Sequence, residues 1–351
     1  MNGMSMFAAV LYGREDVRVE AVPVPAVGPG EVRVRIGAAL TCGTDLKVFR
    51  RGYHARMIVP PAVFGHEFAG EIDAVGPGVR HWAPGMRVVA ANSAACDACF
   101  YCHKGHPELC EDLVFVNGAY AEYITLPAQL VRRNLLSLPP HLSFEQAAMT
   151  EPLACVVRGM DETPVQPGDT VVVLGAGQIG LLFVRLCRLA GARVICVGRR
   201  PARLSLAREM GAEVTLSAEP GVDVVEEARA HTPRRRGPDV VVECVGQRET
   251  WEQAIAMPRK AGTVNLFGGC PRDTFVQIDT SRVHYDEITL RGTFHHTPDT
   301  VRRALRLIVD GDVPASALIQ QHADLHELPS VLRSLMNGNC AVKVAISPRH
   351  P

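Results

Sequence analysis

The chain has 351 residues, 47% of them hydrophobic and 21% charged, and its 37 basic and 37 acidic residues leave no formal net charge. That balance argues against the basic field that nucleic acid or an anionic membrane surface needs. The length points to two domains rather than one core, and no stretch reaches the ~20 uninterrupted apolar residues of a membrane span. Eleven cysteines, an odd number with Cys155, Cys187, Cys196 and Cys244 in apolar runs, favour a reducing compartment, the cytoplasm, over a secreted disulfide scaffold. Met1–Val10 lacks a basic start followed by a long apolar core and does not read as a signal peptide.

The first 150 residues are rich in Val, Gly and Pro. Short runs at Phe7–Leu11, Val17–Ala21, Glu31–Ala38 and Arg87–Ala90 read as strands parted by Gly/Pro turns such as Val27-Gly28-Pro29-Gly30, which predicts an all-β body. Three candidate metal-ligand types lie in or just after it: Cys42 in Thr41-Cys42-Gly43-Thr44-Asp45, His66 and Glu67 in Gly65-His66-Glu67, and Glu151 in Glu151-Pro152-Leu153-Ala154-Cys155. A catalytic zinc needs about three protein ligands and one exchangeable position, which a thiolate, an imidazole and a carboxylate can provide. Between them stand Cys96, Cys99, Cys102 and Cys110, with two, two and seven residues intervening. Four thiolates that close in sequence can complete a tetrahedral Zn²⁺ shell, and a complete shell leaves no place for substrate, so this site is structural. The competing reading is a group of reduced surface thiols or a disulfide pair.

The texture changes near Glu151. Thr170–Gly175 reads as a strand, Gln178–Ala190 as a helix, Arg193–Gly198 as a strand and Pro201–Met210 as a helix. Asp239–Val245 and Gly262–Gly268 read as further strands. This alternation implies a parallel sheet covered on both faces by helices. Gly175-Ala176-Gly177-Gln178-Ile179-Gly180 follows the first strand and opens the first helix, as a dinucleotide fingerprint requires. Gly175 permits the tight turn, Gly177 lets backbone approach a pyrophosphate, and Gly180 allows close helix–strand packing. The helix start offers unpaired N–H groups to the phosphates. An NAD site carries Asp or Glu about 20 residues on; here Gly198 stands there, followed by Arg199 and Arg200, with Arg203 one turn further. No carboxylate repels a 2′-phosphate and three guanidiniums can pair with one, so NADP is expected over NAD, which stays possible. The alternative is that these arginines are simply solvated. His231–Pro238, with three consecutive arginines, reads as a solvated loop. After about Gly292 the βα rhythm is lost, although Thr297–Val309 looks like an amphipathic helix.

Taken together, Cys42-Gly43-Thr44-Asp45, Gly65-His66-Glu67-Phe68-Ala69-Gly70, the four-cysteine loop, Glu151-Pro152 and the Gly175–Gly180 loop resemble, in order and over essentially the whole length, the zinc-dependent medium-chain dehydrogenases of the sorbitol and threonine dehydrogenase branch. The resemblance implies an α/β fold: a doubly wound Rossmann domain at 155–292 and a GroES-like β-barrel catalytic domain formed by 1–154 and 293–351, with the chemistry in the cleft between them. It implies that Cys42 and His66 bind a catalytic zinc, with Glu67 and Glu151 competing for the carboxylate place. Thr44 then matches the hydroxyl that receives the substrate proton, and Asp45 an acid that orients the His ligand.

Three departures bear on substrate. A relay histidine five residues after the zinc cysteine is replaced by Lys47. A histidine of threonine dehydrogenases, three residues before the first loop cysteine, is Ser93. The Arg-aromatic pair of sorbitol dehydrogenases is replaced by His295 and His296, candidates for the substrate pocket. The implied activity is hydride transfer between a secondary alcohol, polyol or cyclitol and NAD(P), with two zinc ions per chain and a small-molecule alcohol or ketone partner. A homo-oligomer, dimer or tetramer, is implied as well. Competing readings are a threonine or primary-alcohol dehydrogenase, a zinc-free quinone-type reductase, and a non-catalytic zinc protein whose cysteine loop binds a partner.

Overall fold

The computed structural model describes residues 4–53, 57–339 and 341–348; the first three residues of the N-terminal segment lie outside them. The chain divides into two compact units, Met1–Ala154 with Thr297–Pro351, and Cys155–His296. Thr293, near the seam, belongs to the second unit, where its hydroxyl donates to Asn265 at 3.1 Å. Among the described residues no helix is long and apolar enough to cross a membrane.

The second unit is a six-stranded sheet, ordered Val214–Ser217, Arg193–Gly198, Thr170–Leu174, Val240–Glu243, Thr263–Leu266 and Thr289–Gly292. Every pairing is parallel. The first strand in sequence lies at the centre, and the order reverses beside it, which is the doubly wound pattern. Thr170–Leu174 and Val240–Glu243 are buried at every position, as expected of strands covered on both faces. The helix Gln178–Leu189 starts just after the central strand. Residues 231–238 hold a short 3₁₀ turn, Pro233–Arg235, and Arg235 is exposed and pairs with Glu226 at 3.2 Å.

The first unit is built around the strand Val32–Leu40. It pairs antiparallel with Phe68–Val75, Tyr123–Leu126 and Lys343–Ser347. Leu135–Ser137 and Arg87–Ala90 extend the sheet at one side, and Ile319–Asp324 at the other. Its core includes Phe49, Phe64, Phe68 and Tyr120. Two expectations are corrected. The all-β body carries helices, among them Gly43–Arg51, and the first turn of Thr150–Asp161 lies in the same unit. The tail also keeps a βα rhythm. Ile319–Asp324 and Lys343–Ser347 are parallel neighbours joined through the helix Leu328–Met336, a crossover that parallel pairing demands. The final strand reads as an apolar run broken by one lysine, too short to register as a repeat.

Candidate functional site

Thr41 to Asp45 is where a strand hands over to a helix. Cys42 is the N-cap of Gly43–Arg51, with extended φ/ψ of −124° and 151°. Its Sγ accepts from Thr44 N–H at 3.4 Å, and Asp45 Oδ2 accepts from Cys42 N–H at 3.1 Å. This reciprocal capping box satisfies donors that a helix start otherwise leaves unpaired. The side chain of Asp45 is buried and does more than cap. Its Oδ1 lies 3.0 Å from His66 Nδ1, and its Oδ2 accepts from the buried Tyr120 hydroxyl at 2.6 Å. A carboxylate only accepts hydrogen bonds, so the contact assigns a proton to His66 Nδ1, and the ring also hydrogen-bonds the Cys42 side chain.

The backbone brings His66 to this place through a turn that only glycine tolerates. Gly65 has φ of +91°, and a Cβ there would meet the Tyr120 ring. Leu40 N–H donates to the Glu67 carbonyl at 3.0 Å. Cys42, His66 and Glu67 thereby offer one ligand atom each, all within 4.8 Å of one another. His66 and Glu67 are buried and Cys42 is partly exposed. Glu67 Oε2 is paired with Lys343 Nζ, while Glu67 Oε1 has no hydrogen-bond partner. Buried carboxylate oxygens rarely go unpartnered. A thiol, an imidazole hydrogen-bonded to Asp45 and to Cys42, and an orphaned carboxylate oxygen fit the donor set of an open zinc site.

The electrostatics are mutual. Desolvation pushes the Cys42 thiol up, Glu67 adds to this, and His66 opposes it. For His66, burial works against the charged form, but Asp45 and Cys42 outweigh it and hold the imidazole well above its ordinary 6.5. Burial, reinforced by Asp45, holds the Tyr120 hydroxyl well above 10, so it stays a donor. Glu151, in the first turn of Thr150–Asp161, is buried and raised to about 7, chiefly by desolvation and by Glu67, with His66 and Lys343 opposing. It senses the cluster yet stands outside the three residues whose ligand atoms converge. Thr44 is half-buried on the first turn of the helix, and Lys47 is exposed.

The ligand atoms of Cys96, Cys99, Cys102 and Cys110 lie within 4.8 Å of one another, and all four are free thiols. A tetrahedral shell with Zn–S bonds of about 2.3 Å has sulfurs about 3.8 Å apart. Cys99 Sγ lies 3.5 Å from Cys102 Sγ and 3.9 Å from Cys110 Sγ, so the spacing suits a four-sulfur shell and leaves the disulfide reading without support. Backbone N–H groups point at the sulfurs: Cys96 N–H donates to Cys110 at 3.2 Å and Ala98 N–H to Cys96 at 3.4 Å. Such donors favour thiolates. Hydrogen bonds from backbone at Cys102 and Glu111 lower Cys99 to about 6, whereas burial pushes Cys110 up to about 12. Ser93–Ala94 pairs with Val114–Phe115 and closes the loop at its base.

In the second unit, Gly175 sits at φ of +110°, Gly177 is the N-cap, and a Cβ on Gly180 would overlap the Gly175 carbonyl. Ile179 is half-buried and Gln178 is buried with its Nε2 unpartnered. Gly198 ends its strand against Ala176, where a Cβ would lie 2.7 Å from the Ala176 methyl. Arg199 is exposed, while Arg200, the N-cap of Pro201–Met210, and Arg203 are half-buried. His295 and His296 lie side by side with ring centroids 4.0 Å apart, His295 at φ of +61° and stacked on Phe294. His296 is buried.

Sequence reasoning missed two members of the first cluster. Lys343 was hidden in an apolar tail strand, where a lone lysine, one of four in the chain, was the available signal. Tyr120 carried no signal beyond an aromatic in a Gly/Ala-rich run.

Comparison with known proteins adds the following. The family described as alcohol dehydrogenase GroES-like domain matches residues 28–139, and the one described as zinc-binding dehydrogenase matches 179–310. Sorbitol dehydrogenase of Bacillus subtilis is 30% identical over 98% of each chain. L-Threonine 3-dehydrogenase of Pyrococcus abyssi is 33% identical over 88% of this chain and 87% of its own. A crystal structure from Sinorhizobium meliloti, described as a zinc-binding dehydrogenase bound to NADP, superposes with a TM-score of 0.90 and 33% identity, covering 98% of this chain and all of that one.

Proposed function

The chain belongs to the zinc-dependent medium-chain dehydrogenases, in the branch of the sorbitol and threonine enzymes, and from that membership we propose that it oxidises a secondary alcohol, polyol or cyclitol to a ketone, or runs the reverse reaction. The observation that carries this reading is the convergence of Cys42, His66 and Glu67 with the His66 tautomer fixed by Asp45. Sorbitol dehydrogenase among the relatives supports a polyol; Ser93 in place of histidine counts against threonine.

In this reading Cys42, His66 and Glu67 would hold a catalytic zinc, and Cys96, Cys99, Cys102 and Cys110 a structural one. When bound, zinc supplies Lewis-acid polarisation of the substrate oxygen and the nicotinamide supplies the two-electron acceptor or donor. The hydroxyl of Thr44 takes the alcohol proton and passes it towards solvent. Lys47, exposed on the same helix, stands in the place of the relay histidine. Asp45 keeps Nδ1 of His66 protonated throughout, so the imidazole neither turns nor loses its ligand nitrogen. Glu151, buried beside the cluster, is the reserve carboxylate. Gly175, Gly177 and Gly180 admit the dinucleotide pyrophosphate, with the Gln178 amide and Ile179 beside it. Arg199, Arg200 and Arg203 pair with a 2′-phosphate where Gly198 removes the competing carboxylate, so NADP is preferred. His295 and His296 line the substrate pocket. The free thiols support a cytoplasmic enzyme. A homo-oligomer is expected, as dimer or tetramer, to be read by light scattering.

A panel of alcohols and polyols scanned by absorbance of reduced cofactor, at saturating NADP and NAD, tests the activity. Turnover of a polyol with two zinc ions per chain supports the reading, whereas one zinc and no turnover overturns it in favour of a non-catalytic zinc protein. The kcat/KM ratio for the two cofactors tests the arginines separately: a clear NAD preference removes them from the site.

A further inference from the structure

Lys343 and Glu67 form an ion pair in which both side chains are completely shielded from solvent, at 0% exposure each. The pair is tied into the frame. Thr41 N–H donates to the Val344 carbonyl at 3.0 Å and Val344 N–H donates to Thr41 Oγ1 at 3.0 Å. Val344, the residue after Lys343, is thus locked to the residue preceding Cys42. The final strand continues antiparallel to Val32–Leu40, pairing Ala345 with Leu40 and Ile346 with Ala39. A lysine normally keeps its ammonium in water even where its stem is covered. Here the tail of the chain delivers the whole side chain into the interior, to one oxygen of one carboxylate.

The charges show what this achieves. A lone buried carboxylate is strongly disfavoured, and breaking a buried pair by removing one partner leaves an uncompensated charge. Without metal, Lys343 is the cation bonded to Glu67. With metal, the carboxylate would be shared between the ammonium, paired with Oε2, and the divalent ion, for which Oε1 is unpartnered. Two cations on one small anion repel, and in a low-dielectric interior that repulsion is weakly screened. The ammonium therefore stabilises the metal-free state more than the loaded one. It also fixes Glu67 so that Oε1 points into the cluster, but ordering one already buried carboxylate is the smaller effect.

We propose that Lys343 is a built-in counter-ion of the metal centre: it lets the Cys42–His66–Glu67 site stand folded without its metal, and it limits how tightly the metal is held. The proposal makes Lys343 a positioning residue and rests on the reading of that cluster as a zinc site. A buried cation already in place makes zinc there exchangeable, in contrast to the four-cysteine loop, whose neighbouring cations Lys104 and Arg133 are exposed.

Zinc alone is the probe, read by competition with a chromophoric chelator and by thermal melts of metal-depleted and reloaded protein. Wild type is first compared with Cys42→Ser. If both hold the same number of zinc ions, the cluster binds none and the functional reading fails, whatever Lys343 does. If Cys42→Ser holds one fewer, Lys343→Met decides the proposal. Metal-depleted Lys343→Met is expected to melt at least about 5 °C below metal-depleted wild type, and zinc should bring the two within about 2 °C. Its zinc should be held at least about tenfold more tightly, equivalent to about 1.4 kcal/mol. Adding Glu67→Gln to Lys343→Met should restore the metal-free melting temperature, because no stranded charge remains. Should Lys343→Met fold only with zinc in the refolding buffer while the double variant folds without it, the same conclusion follows. Zinc held equally or less tightly by Lys343→Met overturns the proposal, as does a double variant no more stable than the single one.

Discussion

Cys42, His66 and Glu67 are set on a buried frame of strand and helix, and their supports come from as far away as Tyr120 and Lys343. Cys96, Cys99, Cys102 and Cys110 come from fifteen consecutive residues of one loop. The first cluster mixes donor types, leaves an orphaned oxygen, and is braced by side chains that accept and donate around it. The second is all sulfur, partly exposed except for Cys110, and braced by the loop's own backbone N–H groups. On the proposed reading, the difference teaches that a centre meant to bind and release substrate must exist before its metal arrives, so the fold supplies its geometry. A centre that only closes a loop can let the metal supply the geometry, since the four sulfurs already approach tetrahedral spacing.

The sharpest way to break this comparison is to remove one sulfur from each cluster. Cys42→Ser should lower kcat/KM by at least about a thousandfold, since Lewis-acid polarisation is worth several kcal/mol. Dinucleotide affinity, measured by fluorescence titration, should stay within about threefold, and the melting temperature near wild type. A parallel loss of dinucleotide binding and fold would mean that Cys42 is a folding residue. Cys110→Ser should do the reverse. Metal binding to such a shell is folding free energy, so one zinc should be lost and the melting temperature should fall by on the order of 10 °C. Activity per folded molecule should stay within about tenfold. If Cys110→Ser silenced the enzyme without destabilising it, the two clusters would not divide the labour as described.

Asp45→Asn probes the bracing of the first cluster at intermediate strength. An asparagine can present an N–H to Nδ1 of His66, which reverses the tautomer and places the proton on the ligand nitrogen. Loss of such an orienting group commonly costs 10- to 100-fold in metal affinity, and zinc competition should read a change of that size, with kcat/KM following it. The cysteine loop should keep its zinc. An unchanged affinity would show that His66 is held by packing alone.

The sequence made the two clusters legible to different depths for the same reason. The cysteine loop is local, so spacing alone singled out the four cysteines whose sulfurs the structure brings together. The glycine loop is equally local, and Thr170–Leu174, Gly175 to Gly180 and Gln178–Leu189 fall within a residue of their expected bounds. The mixed cluster is not local. Cys42, His66, Glu67 and Asp45, which the structure brings together, were singled out because short motifs carried them. Lys343 could not be placed, because it reaches Glu67 across 276 residues of sequence and arrives through a strand that only pairing with Val32–Leu40 positions. Tyr120 was missed because a phenol's hydrogen bond is invisible when its ring reads as core. The βα crossover of the tail was missed because its strands are short and one is mostly polar at Gln320 to His322.

Tyr120→Phe is the mildest test and the most specific to the bracing argument. The phenol has one proton and two acceptors near it, Asp45 Oδ2 at 2.6 Å and the Leu40 carbonyl at 3.0 Å. The shorter contact goes to the anion, and hydrogen bonds to charged groups contribute about 1.5–3 kcal/mol each, more than neutral ones. Phenylalanine keeps the ring beneath Gly65 and its edge-on contact with Phe64 at 5.7 Å, so packing is retained and the hydrogen bond alone is lost. Asp45 still accepts from Cys42 N–H and faces His66, which caps the damage well below that of Asp45→Asn. Zinc affinity should fall by about three- to tenfold and the melting temperature by a few degrees, with the cysteine-loop zinc untouched. A loss as large as that of Asp45→Asn would mean that Tyr120, not the capping box, sets the Asp45 orientation. No change in zinc affinity would mean that the helix cap holds Asp45 unaided, and that the phenol serves the core alone.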